Sequence, residues 1–212
     1  MKKIQLALSV VVLVSLFFAG CSGRKHQKYH KVEQIRALEQ VPSESEYQII
    51  ARSEWTEEGP DISNIVAMTP IFRVTIHHTA MPDDELSDEI DTKLRLQKIL
   101  MWHKSNNKWA DMGYHYVIDA DGKVWEGRSI KYQGAHAGNE KLNVGNIGVV
   151  LIGNFDIHEL PEKQRVALFE FTRFLKVKYK IRSENIFGHE HFKDTKCPGK
   201  FVMPYIEQLR KE

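Results

Sequence analysis

The chain has 212 residues, of which 30 are Lys or Arg and 28 are Asp or Glu, for a formal net charge of +2. This near balance excludes the strongly basic surface that a nucleic-acid-binding protein presents, and two cysteines are too few for a fold built on disulfides. We therefore expect no nucleic-acid partner.

The first twenty residues have the pattern of a secretory signal. Lys2 and Lys3 precede an apolar run at 4–18, and small residues follow. The run is too short for a comfortable membrane-spanning helix, so we expect it to be removed on export. Loss of the two lysines leaves 28 basic residues against 28 acidic ones, so the mature chain is close to neutral.

The four residues FAGC at 18–21 resemble a bacterial lipoprotein processing site, where the cysteine becomes the lipidated N-terminus. We therefore expect residues 1–20 to be a lipoprotein signal peptide and Cys21 to anchor an exported protein to a membrane of the cell envelope. Ser22, rather than Asp, after the cysteine favours the outer membrane where a cell has one. The alternative is an ordinary signal peptide in which Cys21 has no role.

Residues 21–46 are predicted to be a tether between the anchor and a folded domain. The segment has low hydrophobicity, starts with a basic cluster and ends in PSESE at 42–46, so a packed core is not expected there. His26 and His30 are four residues apart and could share one helical face as metal ligands. We favour a solvated basic stretch beside anionic lipid head groups.

Residues 47–212 are predicted to form one α/β domain, a central mixed β-sheet flanked by helices, because strands and helices alternate along the chain. The turn residues DADG at 119–122 predict a hairpin between two of the strands. The predicted strands are 47–51, 71–76, 113–119, 123–126 and 145–152, and the predicted helices are 87–104, 161–180 and 201–211.

Two of these helices carry apolar stripes that we expect to face the sheet. Pro161 opens the second of them, at the first turn where its missing N–H costs least. The stripe residues are Ile90, Leu94, Ile99 and Leu100 in the first helix, and Leu168, Phe171 and Leu175 in the second.

Three residues are candidate zinc ligands. His189 and Cys197 are eight positions apart near the C-terminus, and His77 ends the apolar strand predicted at 71–76. Three ligands of mixed nitrogen and sulfur type, with a fourth position left for water, describe a catalytic zinc site, whereas a structural site would need a fourth protein ligand. His78 is expected to support His77, and His191 is a weaker rival to His189.

The segment GYHYVID at 113–119 holds a candidate catalytic hydroxyl. A regular strand would place Tyr114 and Tyr116 on one face and His115 on the other. A Tyr114 hydroxyl aimed at zinc could orient the attacking water or stabilise the oxyanion. The alternative is that Tyr114 only packs in the core.

Six motifs, taken in order, resemble the peptidoglycan recognition protein family and the zinc N-acetylmuramoyl-L-alanine amidases of bacteria and phage. The resemblance covers about residues 48–209. The motifs are IHHT at 76–79, DMGYHY at 111–116, DGKVWEGR at 121–128, GAHA at 134–137, NIGVVLIGNF at 146–155 and GHEHFKDTKCPG at 188–199.

The resemblance assigns roles by position. His77, His189 and Cys197 match the zinc ligands, and a related branch with Asp as third ligand is disfavoured by Cys197. Tyr114 matches the tyrosine that faces the metal, and Thr195 matches a catalytic position that holds Thr in the recognition proteins and Lys in the phage enzymes. His136 matches a substrate-binding position in the groove.

The function implied is hydrolysis of the lactyl–L-alanine amide of peptidoglycan by a zinc enzyme, with peptidoglycan or muropeptides as partners of a monomeric protein. One alternative is a peptidoglycan-binding protein without activity, although such members typically lack the cysteine ligand. A second alternative is a Cys–His endopeptidase with Cys197 as nucleophile, which Pro198 directly after the cysteine disfavours.

Overall fold

A six-stranded mixed sheet organises the computed structural model, which describes residues 47–81 and 89–212. In space the strands run in the order β1-β4-β3-β5-β2-β6, and every neighbouring pair is parallel except the β3–β4 hairpin. The predicted mixed sheet and hairpin are confirmed. In chain order the strands are β1 (Ile49–Ile50), β2 (Arg73–His78), β3 (Tyr116–Ile118), β4 (Val124–Glu126), β5 (Asn146–Leu151) and β6 (Ile186–Gly188).

Helices flank this sheet, as predicted. The second, α2, has a single turn capped by Asn139, whose side chain accepts a hydrogen bond from the Leu142 N–H; it is too short to show a hydrophobic period and is absent from the predicted elements. Along the described ranges, no helix combines the length and apolar character needed to cross a membrane. The helices are α1 (Glu89–Ser105), α2 (Glu140–Asn143), α3 (Glu162–Tyr179) and α4 (Met203–Leu209).

The two long helices cover opposite faces of the sheet. Tyr116 and Val117 are neighbours in β3, so their side chains point to opposite faces. The Tyr116 ring lies 4.9 Å from the ring of Phe171 in α3. Val117 instead belongs to a buried apolar cluster with Leu96 and Leu100 of α1. The result is a three-layer arrangement with one apolar core on each side of the sheet.

The predicted stripes are confirmed for α3 and partly wrong for α1. Leu168, Phe171 and Leu175 are all buried. In α1, Ile99 and Leu100 are buried but Leu94 is 50% exposed, and Leu96 takes its place in the core. At about 100° per residue, Leu94 lies roughly 200° around the helix from Leu96 and therefore faces away from the sheet. The fourth stripe residue, Ile90, lies outside the residues whose side chains are described.

Several predictions concern residues outside the described ranges and remain predictions. The signal peptide at 1–20, the lipid-bearing Cys21, the tether at 21–46 and the start of the first helix before Glu89 all lie outside the described residues. The same holds for the histidine pair of the tether.

Candidate metal centre

Two parallel strands bring the candidate histidines together. In the pairing of β2 with β6, Ile76 lies opposite Gly188, so the next residue on each strand follows at the same edge of the sheet. Those residues are His77 and His189, and their ring centroids are 4.6 Å apart. The carboxyl edge of the sheet thus holds two of the three predicted ligands.

The third predicted ligand returns to this edge through the loop that follows β6. The Glu190 N–H donates a hydrogen bond to the Cys197 carbonyl over 2.8 Å, which closes the loop beside His189. The Cys197 sulfur then accepts a hydrogen bond from the His78 N–H at 3.4 Å and lies 3.6 Å from His77 Nδ1. The fold therefore brings His77 and Cys197, which are 120 positions apart in the sequence, into contact.

These three side chains are arranged as a metal site. The candidate ligand atoms of His77, His189 and Cys197 all lie within 4.8 Å of one another. The Nε2 atom of His189 is buried and has no hydrogen-bond partner among the described residues, which an imidazole tolerates poorly unless that nitrogen binds something else. Two imidazoles and one thiolate are ligands that zinc prefers, and three of them leave a coordination position open. The residues present therefore fit a catalytic zinc ion.

Burial shifts the pKa of both the imidazole and the thiol ligands. Burial first, and then neighbouring histidines, lower the pKa of His77 well below its usual range, so the ring is neutral and able to bind metal. Burial raises the pKa of the Cys197 thiol to about 12, and the His78 N–H only partly offsets this rise. The sulfur therefore needs a cation beside it to ionise at neutral pH.

The two spare histidines of the sequence motifs lie outside this cluster. The His78 ring accepts a hydrogen bond from the Phe155 N–H at 3.2 Å, so this ring is engaged by the protein backbone rather than by the ligand cluster. The Gly188 N–H donates to His191 Nδ1 at 3.2 Å, and Nε2 lies 3.5 Å from a carboxylate oxygen of Glu207 in α4, so both ring nitrogens are engaged outside the cluster.

Tyr114, the candidate for the catalytic hydroxyl, lies beside His77. Its ring centroid is 5.1 Å from that of His77, and the side chain lines a groove beside the metal centre. Burial, and then the charge of Cys197, raise the pKa of Tyr114 well above its usual range. The phenol therefore keeps its proton and can donate it in a hydrogen bond.

The prediction that Tyr114 and Tyr116 share a face is wrong. Regular pairing in β3 begins at Tyr116, so the alternation of a strand does not extend back to Tyr114. Tyr114 contacts His77, whereas Tyr116 packs on Phe171 in the layer formed by α3.

His136 lies in a different setting from the one its motif predicts. It borders the groove but is only 5% exposed, and both ring nitrogens are engaged inside the protein. Nδ1 is 3.0 Å from His77 Nε2, and Nε2 is 3.2 Å from the Asn146 carbonyl oxygen. Its hydrogen-bonding capacity is thus directed at a metal ligand and the backbone, which disfavours direct recognition of substrate.

Thr195 lies in the turn before Cys197. Its hydroxyl oxygen accepts a hydrogen bond from the Cys197 N–H at 3.3 Å. The side chain lines a second cavity of about 690 Å³ rather than the groove that contains Tyr114. The predicted catalytic role therefore remains a prediction, and the contact with backbone supports a role in shaping the turn.

The groove beside the metal centre has a volume of about 890 Å³ and a basic rim. Lys108, Lys141 and Lys193 line it and are exposed, and they outnumber the exposed acidic Glu140 of the same lining. Burial, and then the charge of Lys193, lower the pKa of His189, which places this lysine within electrostatic range of the centre. A groove with this rim suits a ligand that carries carboxylates.

Sequence reasoning missed this rim and the hydrogen bond from the His78 backbone to Cys197. Lys108 and Lys193 come from separate loops and Lys141 from α2, and they form no local pattern, so only the fold brings them together.

Comparison with known proteins agrees with this geometry. The family model described as N-acetylmuramoyl-L-alanine amidase matches residues 67–200. Peptidoglycan-recognition protein SD of Drosophila melanogaster is 31% identical over 176 residues, which are 82% of this chain and 92% of the relative. The crystal structure of that protein superposes with a TM-score of 0.69 over 77% of this chain and 95% of its own.

Two further solved structures resemble the fold. Drosophila PGRP-LB in complex with tracheal cytotoxin, a tyrosine-to-phenylalanine mutant, is 28% identical with a TM-score of 0.67 over 75% of this chain and 92% of its own. The N-acetylmuramoyl-L-alanine amidase LysC from Clostridium intestinale is 25% identical with a TM-score of 0.62 over 76% of this chain and 95% of its own. The chain belongs to the N-acetylmuramoyl-L-alanine amidase family, which it shares with the peptidoglycan-recognition proteins.

Proposed function

We propose that this chain is a zinc-dependent N-acetylmuramoyl-L-alanine amidase that cleaves the lactyl–L-alanine amide between N-acetylmuramic acid and the stem peptide. The observation that carries the proposal is the cluster of His77, His189 and Cys197, whose ligand atoms lie within 4.8 Å of one another. Tyr114 beside a groove supplies the accompanying hydroxyl. The family match and the likeness to a solved amidase support the same reaction.

Each residue of the centre has a distinct part in this proposal. A zinc ion held by the three ligands supplies Lewis-acid polarisation of the amide carbonyl and activates water at neutral pH. Tyr114 donates its phenolic hydrogen to the carbonyl oxygen as negative charge develops there. The His78 N–H donates to the Cys197 sulfur and so stabilises the thiolate in position.

The groove supports a muropeptide as substrate. Stem peptides carry free carboxylates, and Lys108, Lys141 and Lys193 give the groove the opposite charge. A family relative, PGRP-LB, has been solved in complex with tracheal cytotoxin. We propose that this chain takes a ligand of the same muropeptide class.

Mass spectrometry of the products from defined muropeptides tests the activity. We expect release of an intact stem peptide with a free N-terminal L-alanine, loss of this product in a chelator, and its return when zinc is restored. Unchanged muropeptides after long incubation of the zinc-loaded protein would contradict the proposal.

The alternative of binding without hydrolysis is favoured by one observation, the similarity to proteins named for recognition. The same experiment separates the two functions, because a binder retains muropeptides without releasing product. The complete set of two histidines and one cysteine supports hydrolysis, since a pure binder has no need of an open metal position.

The Cys–His endopeptidase is the weaker alternative. The 3.6 Å contact between Cys197 Sγ and His77 Nδ1 resembles a nucleophile with its base. Burial, however, raises the pKa of this thiol to about 12, which disfavours the free thiolate that such an enzyme needs. A thiol endopeptidase would also remain active in a chelator and would cut within the stem peptide.

Thr195→Val is expected to lower turnover per bound zinc more than it raises KM. Although the Thr195 side chain lines the second cavity, its hydroxyl accepts from the N–H of the ligand Cys197 and retains its own hydrogen, which we propose it donates to the developing oxyanion or to the attacking water when substrate is bound. Thr195→Ser keeps the hydroxyl and serves as the control, with turnover near that of the wild type. If Thr195→Val lowers only zinc affinity and thermal stability, the side chain does no more than shape the turn.

For localisation we propose the lipid anchor that the sequence predicts. Cys21→Ala is expected to move the protein from the membrane fraction to the soluble fraction without changing the specific activity of the zinc-loaded protein, because the anchor precedes the amidase domain by a predicted tether. Fractionation of cells followed by an activity assay measures both. Membrane retention of the variant would place the anchor in another segment.

A further inference from the structure

A buried chain of hydrogen bonds links His77 to the backbone through His136. His77 Nε2 lies 3.0 Å from His136 Nδ1, and His136 Nε2 lies 3.2 Å from the carbonyl oxygen of Asn146. His77 and His136 are 1% and 5% exposed, so water does not compete for these contacts. The sequence resemblance assigns His136 to substrate, and the described contacts suggest another use for it.

The Asn146 carbonyl at the end of this series of hydrogen bonds determines which ring nitrogen of each histidine carries a hydrogen. A carbonyl oxygen only accepts, so His136 Nε2 must carry the hydrogen that it donates to Asn146. In a neutral ring the other nitrogen, Nδ1, is then bare and accepts from His77. His77 therefore carries its hydrogen on Nε2 and keeps a lone pair on Nδ1, the nitrogen that lies 3.6 Å from the Cys197 sulfur.

The surroundings hold the His136 ring in this orientation. A Cβ atom on Gly134 or Gly148 would lie 2.5 to 2.6 Å from the nearest atom of the ring, so both positions need glycine for the ring to fit. The side-chain oxygen of Asn143 accepts from the His136 N–H at 3.0 Å and fixes its backbone.

Asn146, whose carbonyl accepts from His136, is also held in place by hydrogen bonds. The Asn146 side chain donates to the Leu142 carbonyl over 2.8 Å and accepts from the Thr75 hydroxyl over 3.0 Å. Asn146 also pairs with Arg73 at the start of the β2–β5 ladder. The series of hydrogen bonds that reaches His77 thus ends at a backbone carbonyl held in place by the sheet.

We propose that His136 is a positioning residue that fixes His77 in its Nε2-protonated tautomer and so presents Nδ1 to the metal. An imidazole ligand binds better when its second nitrogen donates to a fixed acceptor, because this sets the ring orientation and raises the basicity of the ligating nitrogen. The proposal rests on the proposed function in that it assumes a zinc ion at the centre.

Zinc affinity of the full chain, measured by competition with a chromophoric chelator, tests the proposal. His136→Leu removes the acceptor and is expected to weaken zinc binding about 10- to 100-fold, the usual cost of losing a partner of a metal ligand. His136→Gln offers one acceptor and one donor on neighbouring atoms and is expected to recover most of the affinity.

His115→Leu is the matched control. This ring is also fully buried with both nitrogens engaged, by the Gly148 N–H and the Tyr132 carbonyl; it lies edge-on to His136 at 5.8 Å between centroids, but neither of its hydrogen bonds reaches a metal ligand. We expect it to lower thermal stability while leaving zinc affinity near that of the wild type. Equal loss of zinc in both leucine variants would show a merely structural role, and wild-type affinity in His136→Leu would overturn the proposal.

Nitrogen-15 NMR of the metal-free wild type tests the tautomer without any variant. The expected signal from His77 is a protonated Nε2 and a bare Nδ1, and the opposite pattern would overturn the proposal. Neither readout involves substrate. A protein that binds zinc with this tautomer but leaves muropeptides intact would therefore contradict the proposed amidase activity alone.

Discussion

Cys197→Ser is expected to lose zinc and, with it, amidase activity. A serine hydroxyl stays protonated at neutral pH and is a poorer zinc ligand than a thiolate. Loss of a partner behind a ligand already costs about 10- to 100-fold in affinity, so loss of the ligand itself should cost more than 100-fold. Metal analysis after dialysis, with turnover on a defined muropeptide, measures both effects.

The design of this experiment separates loss of metal from loss of fold. Saturating zinc should raise the thermal midpoint of the wild type but not of Cys197→Ser, because a ligand stabilises a protein only through the folded state that binds it. His191→Gln is the control, since the ring nitrogens of this nearby histidine contact Gly188 and Glu207 outside the cluster, and the change should leave zinc binding unchanged. A Cys197→Ser protein with a full complement of zinc would refute the assignment of the ligand.

The fold was largely predictable because its signals are local. The continuous apolar run that became β5, the turn residues between β3 and β4, and the apolar face of α3 each follow from a few adjacent residues. The error at Leu94 arose because α1 carries more apolar residues than one face can bury. Leu96 lies three and four positions before Ile99 and Leu100 and shares their buried face, whereas Leu94 lies outside it.

The metal ligands of the candidate site were predictable from the sequence, but the contacts of His136 were not. His77, His189 and Cys197 were identifiable by their chemistry and by the family motifs, and the pairing of β2 with β6 explains why they meet. The contacts of His136 were not identifiable, because they depend on a ring turned inward through the space that Gly134 and Gly148 leave open. Motif position assigns a residue to a neighbourhood, but the direction of its side chain is set by packing.

Tyr114→Phe is expected to fold, to bind zinc as the wild type does, and to lose about 10²- to 10³-fold in kcat, the usual cost of removing one oxyanion donor. Burial and the nearby Cys197 raise the pKa of this phenol, so it remains protonated and able to donate through the neutral and mildly alkaline range. The bond strengthens as charge develops on the carbonyl oxygen, so kcat should fall while KM changes little.

Tyr116→Phe provides a control of identical chemistry two positions away. Its ring packs on Phe171, and its hydroxyl bonds Tyr179, in the layer formed by α3 rather than at the metal centre. Loss of that hydrogen bond should cost about 1 kcal/mol of stability and leave kcat unchanged. If Tyr114→Phe likewise lowers only stability, its hydroxyl serves packing alone, and the oxyanion must then be stabilised by the metal and the remaining groups of the centre. If both variants lose turnover equally, the effect comes from the sheet rather than from a hydroxyl at the metal centre, because Tyr116 packs on Phe171 whereas Tyr114 lies beside His77.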